Sequence, residues 1–221
     1  MQAVDDPMPL TLADVTIRLA ERTLLSVSAT VMPGEVLTVM GPSGSGKSTL
    51  LAFAGGFVDP AFRVSGRILI GDRDLTDVPA NKRRAGILFQ DPLLFPHLSV
   101  GGNILFAMPQ AVKGHKMRRQ LAERALEQVG LAGFFDRDPE TLSGGQKARV
   151  ALQRTLVSAP RYLLLDEPFS KLDAALRQQT RALVFSKAKA AGVPIILVTH
   201  DGADAEAAGG RVIEIGSEAE A

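Results

Sequence analysis

The chain contains no cysteine, so neither a disulfide nor a thiolate metal site takes part in its stability or its chemistry. It has no excess charge of either sign: 25 Lys and Arg stand against 24 Asp and Glu. A basic field of the kind that captures nucleic acid is missing, and nucleic acid is not an expected partner. Long hydrophobic runs are missing too. The most continuous, Tyr162 to Leu165 and Ile195 to Val198, fall far short of the ~20 residues needed to cross a bilayer. The opening stretch, Met1-Gln2-Ala3-Val4-Asp5-Asp6-Pro7, is acidic and carries a proline, the reverse of a secretory signal. No internal repeat or low-complexity tract interrupts the chain. These absences point to a soluble intracellular protein, which would work at a membrane only by docking onto something already there.

What is present is an ordinary globular composition of 221 residues, 46% hydrophobic and 22% charged, enough for one compact unit with a substantial core. Within it, Gly41-Pro42-Ser43-Gly44-Ser45-Gly46-Lys47-Ser48-Thr49 joins an apolar, strand-like run (Val36 to Met40) to a helix-compatible Leu50 to Ala54. Strand, glycine loop and helix in that order make a phosphate-binding loop. Backbone N–H groups can turn inward at the glycines, where a side chain would collide with a phosphate. The start of the helix adds unpaired donors and a positive dipole end. Lys47 is placed to reach the β- and γ-phosphates and Ser48 to ligate Mg2+. A nucleoside triphosphate is the expected ligand.

Around this loop the pattern predicts short strands from Leu10 to Met40, with a turn at Met32-Pro33-Gly34-Glu35. A second strand group spans Val64 to Leu75, with Arg67 to Ile70 as strand and Gly66 and Gly71-Asp72 as turns. Ala85 to Phe89 reads as another strand, followed by Gln90. From Val100 to about Pro160 the pattern is largely helical, with Leu121, Ala125, Leu126 and Val129 on one face. Tyr162 to Leu165 and Pro194 to Val198 read as strands buried on both faces of a mainly parallel sheet. The tail, Ser217 to Ala221, is expected to fray.

Two further motifs carry chemistry. Leu142-Ser143-Gly144-Gly145-Gln146 precedes a helical stretch, Lys147 to Val157. It is either a second anion site at a helix N-terminus or a simple serine N-cap. Downstream, the apolar run Tyr162 to Leu165 ends in Asp166-Glu167. Beside a phosphate loop, Asp166 suits the Mg2+ shell, and Glu167 suits the task of orienting and polarising the attacking water.

Taken in order, these motifs resemble those of the ATP-binding subunit of an ABC transporter, over nearly the whole chain. Gln90 matches the family's Q-loop glutamine, and Ser143-Gly144-Gly145-Gln146 its signature. Ser170-Lys171-Leu172-Asp173 resembles the D-loop, and His200 in Val198-Thr199-His200-Asp201 the switch histidine. The segment Phe89 to Val100 is similar to that of importer subunits for small nutrients, of the small YnjD type and, less closely, the thiamine and iron importer ATPases. The fold implied is an α/β P-loop NTPase (RecA-like) core with a mainly parallel sheet, an N-terminal antiparallel β subdomain and a helical signature-motif subdomain. One ABC ATPase domain would cover 1–221, with 1–90 and 160–221 forming the core and β subdomain and 91–159 the helical subdomain.

The resemblance also implies a head-to-tail homodimer. Ser143, Gly144 and Gly145 of one copy would face the γ-phosphate held by Lys47 of the other, where the helix dipole stabilises charge as an arginine finger does elsewhere. Glu167, His200 and Gln90 would serve the attacking water, Ser48, Gln90 and Asp166 the Mg2+, and Asp173 communication across the interface. Further partners implied are membrane permease subunits, received near Gln90 to Ser99, and a solute-binding protein. The location implied is peripheral, on the cytoplasmic face of the cell membrane. An exporter subunit and a soluble ABC ATPase outside transport stay open as alternatives, though the long coiled-coil insertion or second cassette usual in the latter is missing.

Some features depart from the family pattern. Family members usually stack adenine on an aromatic residue ahead of the phosphate loop, yet no Phe, Tyr or Trp precedes Phe53; Arg18 and Leu19 stand nearest to that position. Lys171 replaces a small D-loop residue, and Lys147-Ala148 follows the signature. The sequence ends soon after its last strand (Arg211 to Ile215), so a regulatory C-terminal domain is not expected. His97 and His115 lack ligand partners in the sequence, and Lys113, His115, Lys116, Arg118 and Arg119 read as a solvated helix face.

Overall fold

Alternation of side chains decides the first sheet. In the computed structural model, which describes residues 7–216, strand β1 (Leu10–Leu19) buries Leu10 and Leu12, then Val15 and Ile17. The switch of parity marks a bulge at Asp14, where φ is 50° and the pairing register shifts. Strand β2 (Arg22–Val31) pairs antiparallel with β1. The chain then turns at Met32 to Glu35, where the Glu35 N–H donates to the Met32 carbonyl at 3.0 Å. It continues as β3 (Val36–Met40) and α1 (Lys47–Gly55). Strands β4 (Phe62–Ile70) and β5 (Arg73–Asp74) return to give the antiparallel order β2-β1-β4-β5.

Gly66 is not the turn expected of it. Strand β4 runs straight through it, with φ at 98° opposite the β1 bulge. A Cβ there would fall 2.4 Å from the Asp14 carbonyl oxygen, so the glycine lets two backbones pass closely.

The remaining elements are α2 (Ala80–Arg83), β6 (Ala85–Leu88), α3 (Val100–Ala107), α4 (His115–Glu127), α5 (Gly144–Val157), β7 (Tyr162–Asp166), α6 (Ala174–Ala190), β8 (Ile195–Val198), α7 (Gly202–Ala208) and β9 (Gly210–Glu214). Five strands form a wholly parallel sheet in the order β6-β7-β8-β3-β9. Its central strands are buried on both faces, which explains their unbroken apolar runs. Toward one face, Leu37, Val39, Leu164 and Ile196 join Leu50 and Leu51 of α1 and the inner side of the antiparallel sheet. Toward the other, Leu163, Leu165, Ile195 and Leu197 pack on Ala151 and Leu152 of α5 and on Val184 and Ala188 of α6. A third cluster, among them Val100, Ile104, Leu126 and Val150, joins α3, α4 and α5.

Two polar side chains fix the C-terminal end of α1. Buried Arg83 donates to the carbonyls of Phe53 (2.7 Å), Ala54 (3.2 Å), Thr76 (2.7 Å) and Val78 (2.6 Å). The Tyr162 hydroxyl donates to Ala54 at 2.9 Å, and burial pushes its pKa up to about 12. A cation on the last carbonyls of a helix satisfies acceptors that the helix leaves free and complements its dipole. Arg118 does the same for α3 through Leu105 at 2.7 Å, and Arg119 lies 4.1 Å over the Phe135 ring. The expectation of a solvated face therefore holds for exposed Lys113, His115 and Lys116 but not for these two arginines: Arg118 ties α4 to α3, and Arg119 ties α4 to the turn that holds Phe135. The tail from Ser217 lies outside the described residues. Among those residues, no helix is long and apolar enough to cross a membrane.

Candidate nucleotide site

Strands β7, β8 and β3 are consecutive neighbours in the parallel sheet, so their C-terminal ends bring three loops together. This is where open parallel sheets bind ligands. From β3 comes Gly41 to Gly46, from β7 comes Asp166-Glu167, and from β8 comes Thr199-His200.

The β3 loop is shaped for an anion. Gly46, at the N-cap of α1, has φ 87°, and a Cβ on it would lie 3.2 Å from the Leu24 side chain. No side chain caps this helix start, which leaves its first N–H groups for a phosphate. The Ser45 hydroxyl is buried with no partner among the described residues. Lys47 is 8% exposed. Its ammonium donates to the carbonyls of Gly41 (2.8 Å) and Pro42 (2.7 Å), folding across the loop mouth.

The β7 end supplies two carboxylates in different settings. Burial raises the Asp166 pKa, opposed by a hydrogen bond from Ser48; the nearby Glu167 charge raises it and Lys47 lowers it. The Ser48 hydroxyl and Asp166 carboxylate thus sit together as hard oxygen donors, a set that fits Mg2+. Among the described residues no group of three or more His, Cys, Asp or Glu is placed to hold a metal by itself; Mg2+ needs only one or two protein oxygens beside substrate phosphates.

Glu167 has φ 45°, a conformation that costs a non-glycine residue about 1–3 kcal/mol. The backbone over-determines it. Its N–H donates to Val198 at 2.9 Å, and its carbonyl accepts from the Ser170 N–H (3.3 Å) and hydroxyl (2.9 Å). The carboxylate then meets His200, with Nδ1 at 2.8 Å from Oε1. His200 is 67% exposed and Glu167 22%.

Behind the histidine lies a network not foreseen from the sequence. Thr199 Oγ1 donates to Asp204 at 3.1 Å, and Arg181 pairs with Asp204 at 2.5 Å. Arg177 pairs with Asp201 at 2.9 Å. These bonds anchor the loop after β8 to α6, which begins directly behind the D-loop. Lys171 also finds a role: it pairs with Asp91, joining the D-loop to the segment after Gln90.

Not every expected residue joins this cluster. Gln90 is exposed just past β6, at the sheet edge beyond β7. Ser143 is the N-cap of α5: its N–H donates to Gln146 Oε1 at 2.9 Å, and its hydroxyl accepts from the Gln146 N–H at 3.3 Å. This reciprocal capping box occupies the Gln146 carboxamide. A Cβ on Gly144 would meet no atom within 4 Å. Helix α5 packs on the opposite face of the parallel sheet from α1. Leu24 and Leu25, which flank Gly46, bring the turn between β1 and β2, with exposed Arg18 and Leu19, up beside the loop.

A glycine loop on a parallel sheet, with Ser48 against Asp166 and Glu167 against His200, defines a P-loop nucleotide-binding protein. The model for the ABC transporter family matches residues 24–170, and the chain belongs to that family as an ATP-binding cassette. It is 48% identical over 193 residues to the ABC transporter ATP-binding protein YnjD of Escherichia coli K12, covering 87% of this chain and 88% of YnjD. It is 43% identical over 187 residues to the Fe(3+) ions import ATP-binding protein FbpC of Rhizobium etli. That match covers 85% of this chain and 52% of FbpC, so the chain spans about half of this longer relative. Among solved structures it resembles the dimeric post-hydrolysis state of the cassette MJ0796 bound to ADP and Pi. There the TM-score is 0.80 at 30% identity, covering 93% of this chain and 94% of that one.

Proposed function

We propose that this chain is the ATP-hydrolysing subunit of an importer for a small nutrient, working as a head-to-tail homodimer beneath separate permease subunits. The observation that carries this reading is the placement of α5. Its signature end and the phosphate loop belong to helices on opposite faces of one sheet, and Gly144 faces open space. A second copy is the natural source of the missing half of each site, and the similar MJ0796 cassette is described as dimeric.

In this dimer the loop N–H groups and Lys47 hold the triphosphate, while Gly144 and Gly145 of the partner point helix N–H groups at the γ-phosphate. Ser48 and Asp166 would hold Mg2+, joined by Gln90 only once its loop moves in from the sheet edge; the bound ion would supply charge to neutralise the phosphate oxygens. Glu167 takes the proton of the attacking water, and His200 keeps that carboxylate aimed. Closure needs both triphosphates, so cleavage opens the dimer.

Residues 91–159 act as a helical subdomain beside the nucleotide core. The exposed apolar residues Phe57, Phe89, Leu93 and Phe106, around Gln90 to Ser99, form the seat for a permease helix and hold the subunit peripherally on the cytoplasmic face. FbpC is named as an import protein, and a solute-binding protein would deliver the cargo. Glu167→Gln tests the reading: with ATP and Mg2+ the variant is expected to accumulate as a dimer with little turnover. A strictly monomeric variant, or one that hydrolyses ATP at the wild-type rate, refutes it.

A further inference from the structure

Both halves of the Glu167–His200 pair are referred to one short loop, Ser170 to Asp173. For Glu167 the link is direct: the Ser170 N–H and hydroxyl donate to its carbonyl at 3.3 and 2.9 Å. For His200 the link runs through Arg177, near the start of α6. One arm of the Arg177 guanidinium donates to the Leu172 carbonyl at 3.2 Å, and the other donates to Asp201 Oδ2 at 2.9 Å. Leu172 is buried in the core, and Asp201 directly follows His200.

The Asp201 carboxylate is committed on both sides. While Oδ2 faces Arg177, Oδ1 accepts from the Ala203 N–H at 2.8 Å and so caps α7. The Asp201 N–H donates to Thr199 Oγ1 at 3.1 Å. His200 has less to hold it. Its imidazole is largely exposed, and Glu167 is its one side-chain hydrogen-bond partner among the described residues. An exposed side chain keeps a single rotamer only at an entropic cost, so its direction depends on how firmly the backbone at 199–201 is fixed. Arginine suits that task. Its planar fork fixes the angle between two acceptors, whereas a lysine ammonium holds each as a point charge.

We propose that Arg177 is a positioning residue for ATP cleavage: it locks the loop after β8 to the D-loop, so that the His200 imidazole meets Glu167 in register. This role rests on the reading of Glu167 as the base for the attacking water. The Arg177 side chain bonds to Leu172 and Asp201 and to no group of the phosphate loop. Its loss should therefore lower kcat and leave KM for ATP in place. A misplacement of about 1 Å at a reacting centre costs about 10²-fold in rate, which sets the scale.

The test compares Arg177→Lys and Arg177→Met in the full chain. Lysine keeps a positive charge beside Asp201 and removes the guanidinium Nε, a buried donor without a partner among the described residues. Arg177→Lys should therefore melt close to the wild-type temperature. Its kcat is expected to fall about tenfold and that of Arg177→Met about a hundredfold, with KM for ATP within about twofold of wild type. A second readout needs no turnover. The chain has three histidines, His97, His115 and His200, so each can be followed by its ring-proton NMR signals in the nucleotide-free protein. The His200 signals should shift and broaden in both variants while those of His97 and His115 stay in place. Wild-type kcat in Arg177→Lys, a rate loss that follows a fall in its melting temperature, or unmoved His200 signals would each overturn the proposal. Glu167→Gln, assayed alongside, tells two failures apart. If it stalls turnover while Arg177→Lys does not, the role of Arg177 alone falls; if it turns over normally, the reading of Glu167 falls and the role of Arg177 falls with it.

Discussion

His200 Nδ1 and Glu167 Oε1 lie 2.8 Å apart, so the loops after β7 and β8 are joined at the reacting end of the sheet. Glu167 is held in a strained backbone conformation, and the exposed imidazole braces its carboxylate. Two groups that act as one unit lose their effect together when either is removed. His200→Ala and Glu167→Gln are each expected to lower turnover by about 10²–10⁴-fold. The double variant should fall no further than the worse single one. A loss equal to the product of the two, in steady-state ATPase assays, would mean that the groups work independently.

Gly144 separates the needs of the fold from those of the dimer. A Cβ there meets nothing in its own chain, and alanine is the better helix former by as much as about 1 kcal/mol. Gly144→Ala should therefore melt at or above the wild-type temperature. Its methyl group would nonetheless stand between the α5 N–H groups and the partner's γ-phosphate. Turnover is expected to fall about 10²–10³-fold, the usual cost of losing an oxyanion donor. A normal ATPase rate in this variant would remove Gly144 from the interface.

Base recognition follows from what stands beside the phosphate loop. Arg18 and Leu19 are exposed there, and the chain has no aromatic residue before Phe53. A guanidinium stacks on a purine with little regard for its edge, and a lost aromatic stack costs about 1–3 kcal/mol. ATP and GTP are expected to bind with similar, modest affinities in fluorescence titrations with labelled nucleotides. A preference for ATP of far more than tenfold would mean that another group reads the base.

Two ion pairs should differ sharply in worth. Arg181 and Asp204 have side chains 13% and 4% exposed, whereas Lys171 and Asp91 are 41% and 73% exposed. Breaking a buried pair strands a charge and costs about 3–5 kcal/mol; an exposed pair contributes about 0–1 kcal/mol. Asp204→Ala should lower stability markedly in urea unfolding, and Lys171→Ala hardly at all.

Legibility in the sequence followed the range of the interaction. The phosphate loop, the parallel strands and Asp166-Glu167 could be read because strand, turn and helix signals are local. Gly66 was misread because the reason for a glycine there is Asp14, on another strand. Arg118 and Arg119 looked like solvated charges because their carbonyl and ring partners lie on other elements. The same holds for Arg83 under α1 and for the Arg177, Arg181, Asp201 and Asp204 network, in which each residue alone resembles any surface charge. The Ser143 motif kept two readings because a serine cap and an anion site use the same helix start: the structure shows the cap, and the anion site belongs to the proposed dimer.

Asp166 links the site to stability. Burial raises its pKa above the ordinary aspartate value, so the folded chain binds this proton more tightly than the unfolded chain does. The contribution is therefore most favourable at low pH and is lost as pH rises past the unfolded value toward and through the raised one. At neutral pH the nucleotide-free protein keeps a charge that its surroundings disfavour. Asp166→Asn should then melt at a higher temperature than wild type near pH 7, with the gap closing as the pH falls through the raised pKa. The same change removes the carboxylate placed beside Ser48, so Mg2+-dependent turnover should collapse even as stability rises. Melting curves across this pH range check the sign: a variant that melts below wild type at neutral pH would show that the Ser48 and Lys47 interactions outweigh the cost of burial.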